Sequence, residues 1–126
     1  MSKFKANSFS ESFNYATRGL RLAINSQKNF VIELVIGGLA FFIATFLRFS
    51  STDKCILLLT ILVVLVCELF NSAIEFTLDA TYKNSYSKLV EMAKDISAGV
   101  VLLASIFSII IGIILFLPYI AENIII

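Results

Sequence analysis

Residues 55–79 read CILLLTILVVLVCELFNSAIEFTLD and decide the fold of this chain. Residues 55–67 are apolar apart from Thr60, which suits a helix inside a bilayer. Glu68, Asn71, Glu75 and Asp79 follow at helical spacing. At about 100° per residue, the four side chains fall within roughly 80° of arc. One narrow stripe of a membrane helix therefore carries three carboxylates and an amide, and charge at that depth is costly and usually functional.

The rest of the chain is also apolar. Of its 126 residues, 59% are hydrophobic, and two further apolar runs flank the first. We predict an all-α membrane protein, a single membrane domain over residues 1–126, with transmembrane helices at 30–47, 55–78 and 96–117. Pro118 is expected to end the third helix.

An amphipathic segment precedes these spans. Within residues 8–28, apolar positions such as Phe9, Phe13 and Leu20 recur at steps of three and four, while Arg18 and Arg21 take other positions. We therefore predict a helix that lies on the membrane surface.

The distribution of Lys and Arg predicts the orientation. The side of the membrane that holds the N-terminus and the 79–95 connection carries eight of them: Lys3, Lys5, Arg18, Arg21, Lys28, Lys83, Lys88 and Lys94. The other side carries Arg48 and Lys54. The positive-inside rule then predicts a multi-pass protein with a cytoplasmic N-terminus. The net charge of +1 makes no case for nucleic acid as a partner.

The stripe itself suggests a chemistry. Glu75 and Asp79 are one turn apart and could share a divalent cation such as Mg²⁺. Glu68 lies nearly two turns deeper, where apolar surroundings disfavour an ionised carboxyl, as suits a general base. Asn71 can orient ligands by hydrogen bonds, and Lys94 can neutralise a phosphate at the start of the third helix. A purely structural role as helix–helix glue is the alternative.

Asp95 and Glu33 are acidic residues outside the stripe. Asp95 follows Lys94 in the first helical turn, where the helix dipole favours a carboxylate. Glu33 is the sole charged residue of the first predicted span and either reaches toward water or belongs to the site. There is no glycine-rich nucleotide loop, so the residues alone indicate a carboxylate-lined site facing the cytoplasm, and not ATP.

A longer sequence pattern points to a nucleotide substrate. The string ELFNSAIEFTLD at 68–79, followed by AKD at 93–95, resembles the signature of the small bacterial integral-membrane diacylglycerol kinases, a family that includes undecaprenol kinases. The resemblance extends over residues 9–120, including Gly19-Leu20, residues 28–30 and 98–100. It implies a homotrimer in the bacterial cell (inner) membrane, with active sites shared between subunits, and transfer of the γ-phosphoryl group of ATP to a lipid hydroxyl with Mg²⁺.

The resemblance also implies a role for each site residue. Glu68 would be the general base, Glu75 would bind Mg²⁺, and Asn71 and Asp79 would support the site. The nucleotide would be held by a set from all parts of the chain: Tyr15, Gln27, Glu75, Ser85, Tyr86, Ser87, Lys94 and Asp95.

Gln27 departs from the family pattern. The family usually has a second metal-binding Glu here, whereas an amide oxygen brings no negative charge. Either the affinity for metal is weaker, or Glu33 helps. The acceptor stays open between undecaprenol and diacylglycerol. Two other functions also stay open: a non-catalytic lipid-binding or assembly subunit, and a small transporter coupled to protons or cations.

Overall fold

Four helices make up the protein. A computed structural model describes residues 5–83 and 85–125, so Lys3 of the orientation argument lies outside the described residues. The helices are α1 (Phe9–Ser26), α2 (Lys28–Phe46), α3 (Ser51–Tyr82) and α4 (Lys88–Ile125). Helix α3 packs against both α2 and α4, and α1 packs against α2.

Helix α1 begins and ends at well-defined caps. The Oγ of Ser8 accepts a hydrogen bond from the backbone N–H of Glu11 at 3.3 Å, and the Glu11 carboxylate accepts one from the N–H of Asn7 at 2.6 Å. Gln27 has extended backbone angles and separates α1 from α2. Helix α2 therefore begins two residues before the predicted span. The position of α1 on a membrane surface stays a prediction.

The connections between the long helices are shorter than the polar stretches predicted. Ser50 caps α3 by accepting the N–H of Asp53 at 3.1 Å, so the helix begins at Ser51 and not at Cys55. At its other end α3 continues to Tyr82, where Lys83 takes a left-handed conformation with φ 48°. Asp79 therefore lies on the helix.

Pro118 does not end α4, and that prediction is wrong. The helix continues through Pro118 to Ile125. Tyr119 explains the continuation, because its hydroxyl donates to Asp53 Oδ2 at 2.6 Å and accepts from the N–H of Ser50 at 3.0 Å. Its ring also stacks on Phe49, with centroids 4.1 Å apart. These contacts fix the turn after the proline against the start of α3.

Three of the helices, α2, α3 and α4, are long and apolar enough to cross a membrane, as the sequence predicts. The buried apolar cluster is small and consists of Ala44, Phe49, Leu57 and Leu115. Many large apolar side chains are exposed instead, for example Phe42, Leu59 and Leu102. An apolar exterior of this kind suits a lipid environment, in which helices satisfy their own backbone hydrogen bonds.

Candidate active site

The centre of the polar stripe is buried. Glu68 is 4% exposed and Ser72, one turn later on α3, is 5% exposed. Glu75 lies one further turn along and is half-buried. Because residues at steps of three and four share a helix face, these three side chains line one side of α3. That side faces the first residues of α2.

Gln27 connects this face to the junction of α1 and α2. The Oγ of Ser72 donates to Gln27 Oε1 at 3.1 Å and also contacts the carbonyl oxygen of Glu68 at 3.0 Å. The side-chain Nε2 of Gln27 donates to Ser26 Oγ at 3.2 Å. The structure therefore places Gln27 beside the stripe. Ser72 was not among the predicted site residues.

Glu33 also belongs to this part of the molecule. Its Oε2 atom is buried and has no hydrogen-bond partner among the described residues. Glu33 on α2 and Glu68 on α3 are therefore acidic groups at the contact between the two helices, and a buried carboxyl oxygen without a partner favours a proton, a cation or a ligand donor.

Asn71 and Asp79 point to α4. The Oδ1 of Asn71 accepts a hydrogen bond from Ser97 Oγ at 2.8 Å, and Lys94 Nζ lies 2.6 Å from Asp79 Oδ1. Ser97 is 6% exposed and was also missed from the sequence. Its signal was its spacing, since it follows Lys94 by three residues and so lies on the same face of α4.

A pocket forms where α3 ends and α4 begins, and we call it the Lys94 pocket. Its volume is about 340 Å³. It is lined by five of the predicted site residues together with four others: Asp79, Ser85, Tyr86, Ser87 and Lys94, with Leu78, Tyr82, Val90 and Glu91. Tyr86 donates to Glu91 Oε2 at 2.8 Å across this pocket. Asp79 follows Glu68 by eleven residues, so the pocket lies about 16 Å along α3 from Glu68.

Tyr15 and Asp95 belong neither to this pocket nor to the contacts around Gln27 and Ser72. Tyr15 lies on α1, partly exposed, with the guanidinium of Arg18 5.5 Å from its ring centroid. Asp95 is exposed at the start of α4 and does not line the pocket. The role of these two residues in nucleotide binding stays a prediction.

Glu75 and Gln27 carry oxygen donors of the kind that magnesium prefers. Glu75 takes part in none of the ion pairs within the described ranges 5–83 and 85–125, and the Gln27 amide oxygen can accept beyond its bond from Ser72. Over the same ranges no three Asp, Glu, His or Cys side chains gather at one point. Mg²⁺ is commonly bound through one or two carboxylates together with phosphate oxygens and water, so a magnesium site does not require three acidic side chains.

Comparison with known proteins identifies the family. The family profile described as "Prokaryotic diacylglycerol kinase" matches residues 14–116, most of the chain. A diacylglycerol kinase of Synechocystis sp. is 39% identical to this chain over 85% of its residues. The match covers 61% of the length of that relative.

Two shorter relatives are covered more fully. An undecaprenol kinase of Bacillus subtilis is 31% identical over 89% of this chain and 90% of its own. A diacylglycerol kinase of Escherichia coli is 34% identical over 76% of this chain and 78% of its own. The chain therefore belongs to the prokaryotic diacylglycerol kinase family, a family of lipid kinases.

Proposed function

We propose that this protein transfers the γ-phosphoryl group of ATP to the hydroxyl of a membrane lipid. The observation that carries the proposal is the buried carboxyl of Glu68, on one helix face with Ser72 and Glu75 and next to Gln27. Phosphoryl transfer requires mainly positioning and neutralisation of charge, so a few polar side chains on rigid helices are enough.

Glu68 is the proposed general base. It takes the proton of the lipid hydroxyl while the hydroxyl oxygen attacks the γ-phosphorus. A new P–O bond to the lipid forms, the bond between the γ-phosphorus and the bridging oxygen breaks, and ADP leaves. Burial of Glu68 supports the assignment, because water is excluded and the carboxyl meets a substrate that arrives through the bilayer.

Glu75 is the proposed magnesium ligand, with Gln27 or Glu33 as its helper. The ion would supply positive charge to the β- and γ-phosphate oxygens. Asn71, held by Ser97, and Asp79, held by Lys94, keep α3 and α4 in register around the site. They act as supporting residues and not as reacting groups.

The Lys94 pocket is the proposed nucleotide site. Lys94 presents an ammonium group to a phosphate, and Ser85, Tyr86 and Ser87 offer hydroxyl groups around it. The distance of about 16 Å between this pocket and Glu68 fits an extended nucleotide lying along α3. Asp95 and Tyr15 would complete the site from a neighbouring subunit.

The proposed setting is a bacterial cell (inner) membrane. We place the N-terminus and the Lys94 pocket in the cytoplasm, where ATP is available, and α1 on the membrane surface. We further propose a homotrimer with active sites shared between subunits. Both undecaprenol and diacylglycerol are candidate acceptors, because relatives named for each resemble this chain.

Glu68→Gln tests the base directly. Purified protein in mixed micelles with labelled ATP should phosphorylate diacylglycerol, undecaprenol or both, and Glu68→Gln should lower turnover by about a hundredfold or more. Glu122→Gln is the matched control, since Glu122 is exposed near the other end of α4. Wild-type turnover in Glu68→Gln would reject Glu68 as the base, provided both variants elute like the wild type in size-exclusion chromatography.

A further inference from the structure

Glu91 lines the Lys94 pocket but has no part in the proposed phosphoryl transfer. It lies in the first turn of α4, three residues before Lys94, so the two side chains share one face of that helix. Both residues line the pocket, together with Asp79 of α3. A pocket proposed for a polyphosphate therefore contains a carboxylate whose charge opposes that of the phosphates.

The charge of Glu91 disfavours contact with a phosphate. Asp79 is also a carboxylate of this pocket, but Lys94 Nζ lies 2.6 Å from its Oδ1 and compensates its charge. Glu91 is compensated less closely, because Lys88 Nζ lies 3.3 Å away and both of these side chains are exposed to water. An ionised carboxylate only accepts hydrogen bonds and repels other anions, so Glu91 favours an uncharged donor group of the ligand.

The carboxylate of Glu91 is held on one of its two oxygens. Its Oε2 accepts hydrogen bonds from the hydroxyl of Tyr86 at 2.8 Å and from Lys88 Nζ at 3.3 Å. Its Oε1 forms no hydrogen bond with the residues of ranges 5–83 and 85–125. A carboxylate has about four lone-pair sites on its two oxygens, so Glu91 can accept further hydrogen bonds from a ligand in the pocket.

The polar groups of the site follow one another in the order of the parts of a nucleotide. Along α3, Glu68 comes first, followed by Glu75 and then by Asp79. Lys94 pairs with Asp79 and so lies at the same level. Because α4 runs antiparallel to α3, Glu91 lies about 4.5 Å further from Glu68 than Lys94 does, measured along the helix. Glu91 therefore follows the phosphate-binding groups on the side away from the reacting phosphate.

We propose that Glu91 binds the ribose of the nucleotide by accepting hydrogen bonds from its 2′- and 3′-hydroxyl groups. The inference rests on the proposed lipid kinase function and adds how the sugar is recognised. With the γ-phosphate toward Glu68 and the phosphate chain at Lys94, the sugar is the next part of the nucleotide, and its hydroxyl groups are uncharged donors. Acidic side chains bind ribose hydroxyls in the same way in dinucleotide-binding folds. The protein should therefore prefer ribonucleotides.

The adenine base is the alternative partner of Glu91, since its amino group is also an uncharged donor. The position of Glu91 favours the sugar. Only three residues of α4 separate Glu91 from Lys94, and in a nucleotide the sugar lies between the phosphates and the base.

Glu91→Ala should remove the preference for ribose. With saturating diacylglycerol in mixed micelles, the wild type should use ATP with about tenfold higher kcat/KM than 2′,3′-dideoxyATP, because the analogue leaves the carboxylate without its partners. Glu91→Ala should raise KM for ATP by about the same factor and leave kcat within about twofold, since the sugar contact is equal in the ground state and the transition state. Its kinetics with 2′,3′-dideoxyATP should match those of the wild type.

Glu122→Ala is the matched control, because it removes a carboxylate from the exposed far end of α4. It should keep the preference for ATP over 2′,3′-dideoxyATP. Equal use of the two nucleotides by the wild type, or a preference that persists in Glu91→Ala, would overturn the proposal. So would a Glu91→Ala protein that loses discrimination between ATP and inosine triphosphate while it keeps the preference for ribose, since Glu91 would then bind the base.

Equilibrium binding separates this proposal from the kinase function. ADP and 2′,3′-dideoxyADP are titrated with Mg²⁺ into the protein in micelles without an acceptor lipid, and binding is measured by isothermal titration calorimetry. The wild type should bind ADP about tenfold more tightly than the dideoxy analogue, and Glu91→Ala should bind both alike. Preferential binding of ADP by a protein that phosphorylates no lipid would overturn the kinase function and retain the role of Glu91. Phosphorylation of lipid without any preference for ribose would do the reverse.

Discussion

Tyr86 gives a pH-dependent contact at the mouth of the Lys94 pocket. Its hydroxyl donates to the carboxylate of Glu91 at 2.8 Å, and this hydrogen bond raises the pKa of Tyr86 above its ordinary value of 10.0. The neutral phenol is the form that donates. The stabilisation is therefore fully present below about pH 10 and is lost as the pH rises through the raised pKa.

Glu91→Gln should move the pKa of Tyr86 back toward the ordinary value. The measurement is the ultraviolet absorbance of tyrosinate, with Tyr86→Phe subtracted to isolate this residue from the other three tyrosines. Because Tyr86 is exposed, the effect on global stability is small and the titration itself is the readout. An unchanged titration in Glu91→Gln would show that the hydrogen bond is absent in solution.

At the residue level, the sequence predicted the acids of the stripe but not their partners. Glu68, Asn71, Glu75 and Asp79 could be identified because charge is rare in an apolar run. Ser72 could not, since a helical serine commonly bonds its own backbone and its second contact depends on which helix packs opposite, and the signal of Ser97 was limited to its spacing from Lys94. The bonds from Ser72 to Gln27 and from Ser97 to Asn71 are products of packing.

At the level of helices, the contact between α3 and α4 is fixed at both ends by polar groups. In the part of α3 that follows Glu68, the fixed points are Asn71 with Ser97 and Asp79 with Lys94. At the opposite end Tyr119 contacts Asp53 and Ser50. The sequence pattern suggested that α4 would end at Pro118, because periodicity carries no information on this distant hydrogen bond. Cap residues such as Ser50 likewise extend α3 beyond its apolar run.

Tyr119→Phe should destabilise the protein without affecting the chemistry. It removes two hydrogen bonds, one of them to a carboxylate, and should lower the free energy of unfolding by about 1–3 kcal/mol. Turnover of the folded protein should persist, because Asp53 lies fifteen residues, or about 22 Å, from Glu68 along α3. The measurement is denaturant unfolding in mixed micelles.

Tyr82→Phe is the matched control for stability. Tyr82 is exposed at the other end of α3, and its hydroxyl forms none of the hydrogen bonds in the described part of the chain. It should unfold like the wild type. Equal stability of Tyr119→Phe and Tyr82→Phe would mean that stacking on Phe49, and not hydrogen bonding, holds the end of α4.

At the scale of the whole molecule, the predicted site residues of one subunit do not all gather in one place. Glu68 and the Lys94 pocket lie about 16 Å apart along α3, while Tyr15 and Asp95 do not line the pocket. A neighbouring subunit can supply the missing groups if the interface is head-to-tail, as in a closed ring. The periodic pattern of one chain cannot reveal this, because the partner surfaces are the same apolar faces that would otherwise contact lipid.

Mixed oligomers test whether active sites are shared. Glu68→Gln and Asp95→Asn should each be nearly inactive alone, the first without a base and the second without a carboxylate of the proposed nucleotide site. If each site takes Glu68 from one subunit and Asp95 from the next, coexpression in equal amounts should restore about a quarter of the sites in a ring. A single chain carrying both substitutions, coexpressed with Glu68→Gln, is the control and should restore none, because no subunit then has an intact Glu68. Activity of the mixture equal to the mean of the two single variants would mean that Glu68 and Asp95 act within one subunit.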